Sequence, residues 1–144
     1  MNRIRASFFS ILSLCCIAGG NLLTADADAH KPTIESTSTI IELNQENSKK
    51  TLDSAHFLVI DVYADWCGPC KRLKPIFNEL NTEYGKLYQF AKVNADSNDA
   101  FVERFQITGF PTILFIKDGK EVGRIVGFLK KEQLAEALKK HFNN

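Results

Sequence analysis

The sequence has almost no net charge and few residues suited to holding a metal. Eighteen Lys and Arg offset seventeen Asp and Glu, giving a formal net charge of +1 over 144 residues. No strong field points at nucleic acid, so none is expected as a partner. There is one Met, and the three His stand at positions 30, 56 and 141 without ligand spacing. The four Cys form two pairs, Cys15/Cys16 and Cys67/Cys70. Structural zinc needs four ligands, and a single C-x-x-C without a second such pair does not supply them. Copper handling would call for Met or His near the thiols, and none is there. No metal is expected. No internal repeat or long low-complexity tract is present.

What is present is an ordinary globular mixture, 44% hydrophobic and 24% charged, with eleven Phe. This suits one compact domain with some additional sequence.

Residues 1–29 read as an address. Arg3 and Arg5 give a positive start, residues 6–20 are largely apolar and uncharged, and Ala25-Asp26-Ala27 and Ala27-Asp28-Ala29 both offer Ala-x-Ala cleavage patterns. A removed signal peptide is the first reading. Its rival is an uncleaved anchor over residues 6–25, with Arg3 and Arg5 inside and the domain outside. An ordinary N-terminal helix is the remaining alternative. Cys15 and Cys16 fall in the apolar run. They read as small apolar residues, or as a weak lipoprotein-type acylation signal in which Leu14 is too large. Residues 30–39, polar with Ser, Thr and Pro32, read as a tether before a domain over 40–144.

Within that domain the patterns alternate. Residues 40–43 read as a short strand and 45–54 as a weak helix. Residues 57–63 form a nearly continuous apolar run, as in a strand buried on both faces. Residues 69–84 read as a helix, because Leu73, Ile76, Phe77, Leu80 and Tyr84 make one apolar stripe. Pro75 is expected to kink it, and Gly85 to end it. A strand over 87–94 and a short helix over 100–105 follow. Strands over 112–117 and 121–126 flank an Asp118-Gly119-Lys120 turn. A last helix covers 130–142. The order implies an α/β fold, a central mixed β-sheet flanked by helices on both faces, with the parallel part first.

Cys67 and Cys70 sit where the buried strand gives way to the helix. Two intervening residues let the sulfurs close a disulfide ring across the first helical turn. Free N–H groups and the helix dipole at that end favour a thiolate on Cys67, the nucleophile in disulfide exchange. Cys70, one turn on, is expected to be more buried and to resolve a mixed disulfide formed on Cys67. Lys71 and Arg72 read as solvated surface. Asp61 interrupts the apolar strand, so burying the strand buries a carboxylate and raises its pKa. It is either a structural Asp paired with Lys92 or a proton carrier.

The segment Trp66-Cys67-Gly68-Pro69-Cys70-Lys71 resembles the active site of the thioredoxin family, and the resemblance extends over roughly residues 40–142. It implies the thioredoxin fold and a thiol–disulfide oxidoreductase that needs no cofactor beyond its reversible Cys67–Cys70 disulfide. Asp61 matches the family's buried acid, which helps deprotonate the second cysteine, and Lys92 matches its partner lysine. Gly109-Phe110-Pro111-Thr112 matches the cis-proline loop, and Val126-Gly127 the glycine patch. Trp66, Gly68, Pro69, Phe110, Pro111 and Gly127 would then line a groove for protein disulfide substrates, paired by strand addition. Phe110 is bulkier than the family's usual aliphatic residue, so a different substrate preference is expected.

Gly68-Pro69 resembles reducing members of the family; oxidising and isomerising relatives usually carry a His there. The alternatives are a disulfide oxidase or isomerase, or a binding module in which redox chemistry is incidental. The address implies export to the periplasm, where a reductase needs electrons from a membrane or other thiol–disulfide partner. Tyr63-Ala64-Asp65-Trp66-Cys67 also resembles the periplasmic domain of a membrane thiol–disulfide transporter. A monomer is expected.

Overall fold

The computed structural model describes residues 38–142. The segment read as an address, Cys15, Cys16, His30 and the part before residue 38 of the stretch read as a tether lie outside them.

Among the described residues, five strands and four helices follow one another as β1 (Ile41–Leu43), α1 (Ser48–Ser54), β2 (Phe57–Tyr63), α2 (Gly68–Tyr84), β3 (Gln89–Asn94), α3 (Asp99–Arg104), β4 (Thr112–Lys117), β5 (Lys120–Val126) and α4 (Lys131–Phe142), with a 3-10 turn at Ala95–Ser97. The sheet order is β1-β3-β2-β4-β5. β1, β3 and β2 run parallel, while β4 is antiparallel to both β2 and β5. The apolar run of β2 is explained by its central place.

Side chains on a strand alternate between faces, and the sheet therefore carries two cores. On one face Leu58, Ile60 and Val62 of β2 pack with Leu52 of α1 and Phe101 of α3. On the other, Val59 of β2 and Phe90 of β3 pack with Leu73, Phe77 and Leu80 of α2 and Leu134 and Leu138 of α4. Asp61, two residues from Val59, belongs to the α2 face.

Local chemistry accounts for the departures from the sequence reading. α1 begins three residues later than expected. The Asn44 carboxamide oxygen accepts the N–H groups of Glu46 and Asn47 at 3.0 and 2.9 Å, and Asn47 Oδ1 accepts the Asn44 N–H at 2.9 Å. These side chains capture the backbone before a helix can. β3 starts at Gln89 because Leu87 and Tyr88 still bond to the Tyr84 carbonyl. Asp118 and Gly119 have φ of 49° and 75°, the two-residue turn that suits strand twist, and Lys120 already belongs to β5. α2 continues through Pro75 as one helix. Gly85 closes it with φ −64° rather than in the left-handed region.

Candidate active site

β2 ends at Tyr63, and Ala64, Asp65 and Trp66 turn the chain into α2. Cys67 is the N-cap, followed at once by Gly68 and Pro69. Proline suits the first helical turn, where its missing N–H leaves no gap. The Cys70 N–H, one of the unpaired donors of that turn, points at Cys67 Sγ at 3.2 Å. A thiolate on Cys67 would be stabilised there by this donor and the helix dipole. The sulfurs are 2.09 Å apart in a disulfide.

The expected contrast in burial between the cysteines is absent: each is 4% exposed. Both pack with Ala64, against Tyr63 and Phe110, so the whole disulfide is sheltered by the turn and the facing loop. The two differ in what they face. Cys70, with Asp61, Tyr63, Lys71, Lys74 and Lys92, lines a cavity of about 190 Å³. A water takes about 30 Å³, so the cavity that Cys70 and Asp61 both line has room for a few.

Asp61 is 5% exposed, and its Oδ1 has no hydrogen-bond partner among the described residues. Burial lifts its pKa from 3.8 to about 7, Lys92 opposes the rise, and Glu42 adds to it. Lys92 is the strand neighbour of Asp61. Its ammonium is nevertheless committed elsewhere, 2.9 Å from Glu42 Oε2.

Opposite the cysteines, the Phe110–Pro111 peptide is cis. Thr112, fully buried, donates its hydroxyl to the Gly109 carbonyl at 2.7 Å and ties this loop down. Gly127 donates its N–H to the Pro111 carbonyl at 2.7 Å. Trp66 is 70% exposed, with its indole edge-on to Phe110 at a centroid distance of 5.8 Å. Val126 and Phe128 on either side of Gly127 are also exposed. The described residues thus bring the cysteines, Trp66, Phe110, Pro111 and Gly127 to one end of the sheet.

Three other contributors, Asp96, Glu42 and Lys74, escaped the sequence reading. Asp96 accepts the Trp66 indole N–H at 3.0 Å, and Glu42 holds Lys92. Lys74 lines the cavity, while Arg72, exposed at the surface as expected, lies over the Phe128 ring at 4.9 Å. None of those three has a local sequence pattern that marks it. Among the described residues no group of three His, Cys, Asp or Glu could hold a metal ion.

The thioredoxin family model matches residues 39–140. The thioredoxin of Staphylococcus haemolyticus is 37% identical over 102 residues, covering 71% of this chain and 97% of that protein. The thioredoxin of Staphylococcus aureus is 39% identical over 83 residues, covering 58% and 80%. Among solved structures, the thioredoxin of Malassezia sympodialis superimposes with a TM-score of 0.67 at 27% identity, covering 73% of this chain and 92% of that one.

Proposed function

The chain belongs to the thioredoxin family and is a thiol–disulfide oxidoreductase, and from that premise we propose that it is an exported, periplasmic protein-disulfide reductase. The observation that carries the mechanism is the division of labour between the cysteines: Cys67 caps α2, and Cys70 opens on the cavity that holds Asp61.

In this reading the Cys67 thiolate attacks one sulfur of a substrate disulfide. A Cys67–substrate disulfide forms, and the other substrate sulfur leaves as a thiolate. Cys70 then gives its proton to the Asp61 carboxylate through water in the cavity, and its sulfur attacks Cys67 Sγ. The Cys67–Cys70 disulfide forms as the second substrate thiolate leaves. Two electrons have passed from the protein to the substrate, with no other cofactor. A pKa near neutrality suits Asp61 to this exchange.

Trp66, Gly68, Pro69, Phe110, Pro111 and Gly127 serve as the substrate groove, where an extended segment adds to the proline loop. The Gly68-Pro69 dipeptide supports the reducing direction. Thioredoxin-like potentials near about −270 mV lie roughly 150 mV below those of strong periplasmic oxidants, about 7 kcal/mol for two electrons. Export supports a membrane or other thiol–disulfide donor that reduces the Cys67–Cys70 disulfide after each cycle. Cleavage after residue 27 or 29 releases a monomer; retention of residues 6–25 leaves the domain anchored on the same side.

Cys70→Ser tests this reading. It should trap covalent substrate complexes, identified by mass spectrometry after non-reducing separation. Recovering none would overturn the two-step scheme. A wild-type pair that is fully oxidised in cells would overturn the reducing direction in favour of an oxidase or isomerase.

A further inference from the structure

Glu42 of β1, Lys92 of β3 and Asp61 of β2 stand in register across three adjacent strands. Alternation puts all three on the α2 face, since Leu43, Val93 and Ile60 beside them fill the opposite core. One ammonium thus stands between two carboxyl groups on neighbouring strands. A long lysine side chain could serve either. Here it serves Glu42, at 2.9 Å from Oε2. The Tyr63 hydroxyl donates to the other oxygen of Glu42 at 3.2 Å, and the ammonium lies 5.9 Å from the Tyr63 ring centroid. Asp61 Oδ1 is left buried and unpartnered among the described residues.

We propose that Glu42 is a positioning residue: braced by Tyr63, it holds the Lys92 ammonium away from Asp61, and so sets the proton affinity of the carboxyl that shares a cavity with Cys70. The part played by that carboxyl in catalysis rests on the proton role assigned to Asp61 above.

The physical case is one of charge placement. The Glu42–Lys92 pair is partly exposed, so its worth to stability is small. Its effect on Asp61 is larger, because a buried carboxyl answers strongly to where a nearby cation sits. An ammonium turned fully onto Asp61 would favour the carboxylate and weaken it as a base. Glu42 prevents this, and its own negative charge acts in the same sense. Burial and Glu42 also raise the Tyr63 phenol to about 12, so it remains a donor throughout the working range. The other groups facing Asp61 are Asp65 in the loop after β2, and Cys70, Lys71 and Lys74 of α2. β4 contributes Ile113 opposite Asp61, which does not titrate. All of these stay constant when Glu42 alone is changed.

The test is a titration of Asp61 in the oxidised full chain, read by carboxyl carbon NMR. Glu42→Gln keeps the shape and removes the charge; it should move the Asp61 midpoint about one pH unit toward acid. Glu42→Asp, which keeps the charge, should retain most of the wild-type midpoint. In a Lys92→Met background the effect of Glu42→Gln should shrink by more than half, because there is no ammonium left to release. A midpoint that stays put in Glu42→Gln, or moves as far without Lys92, overturns the positioning role. The pH profile of Cys70 attack on a Cys67 mixed disulfide should follow the NMR midpoint. If the midpoint moves and that profile does not, the positioning role stands, and the proton role of Asp61 is what fails.

Discussion

Gly127 donates its backbone N–H to the carbonyl of Pro111 at 2.7 Å, and does so with a φ of 102°. The bond ties the end of β5 to the start of β4 beside the disulfide. An added Cβ would touch nothing within 4 Å, so any penalty for Gly127→Ala is conformational. Non-glycine residues held at such angles cost about 1–3 kcal/mol. Gly127→Ala should lower stability by that amount in urea unfolding, and raise KM for a protein disulfide more than it lowers kcat. Gly68→Ala is the control. It has open space and no positive φ, and should stay within about 0.5 kcal/mol of wild type. Equal stability of the two variants would sink the argument.

Asp61 makes stability depend on pH in a definite direction. Its pKa is about 7 in the folded protein against an ordinary 3.8. Between those values the folded state holds a proton that the unfolded chain releases, so stability falls as pH rises through the window. About three units at about 1.4 kcal/mol each amount to a loss on the order of 4 kcal/mol. Asp61→Asn cannot ionise. Its urea midpoint should vary much less between about pH 4 and 8, and should exceed that of the wild type at the upper end. Parallel declines in both proteins would mean that another group is responsible.

Much of this architecture was legible because it rests on local periodicity. The apolar run of β2, broken by Asp61 alone, marks a strand covered on both faces, and the stripe from Leu73 to Tyr84 marks α2. The thiol pair at the junction of those two elements follows from the same patterns. What escaped depends on which strands become neighbours. Lys92 reads as a partner for Asp61, and the two do share a register position. Only the placement of three-residue β1 on the far side of β3 brings Glu42 in to take the ammonium. Cys70 reads as deeper than Cys67 from helix position alone. The Phe110 loop packs over both and removes the difference. Asp96 lies thirty residues from its partner Trp66, in a 3-10 turn that has no periodic pattern.

That Asp96 contact is testable on its own. One oxygen accepts the Trp66 indole N–H at 3.0 Å, and the other accepts the Asp65 N–H at 3.2 Å. Asn94 reaches Asp65 Oδ2 at 2.9 Å and completes the brace. Trp66 is the sole Trp, so its fluorescence reports directly on the loop. Asp96→Ala should increase indole mobility, seen as lower time-resolved anisotropy, and cost about 1 kcal/mol in stability. Asp96→Asn keeps an acceptor and should lie between the two. Unchanged anisotropy in Asp96→Ala would mean that the bond does not hold the ring.

Gly85 separates propensity from packing. Its φ of −64° is open to any residue, and replacing such a Gly by Ala gains up to about 1 kcal/mol in backbone propensity alone. The surroundings oppose that gain. An added Cβ would collide with the Ser38 hydroxyl and the Asn81 carbonyl. Ser38 donates to Asn81 Oδ1 at 2.8 Å, and the Asn81 amide donates back to the Ser38 carbonyl. Asn81 is buried, so pushing Ser38 away strands its amide. An unsatisfied buried polar group costs about 1–3 kcal/mol, which outweighs the propensity. Gly85→Ala should therefore destabilise the domain in urea. Ser38→Ala should destabilise it as well, and the double variant should cost less than the sum, because each breaks the same docking. A stabilised Gly85→Ala protein would mean that the close approach of residue 38 to α2 is not kept in solution.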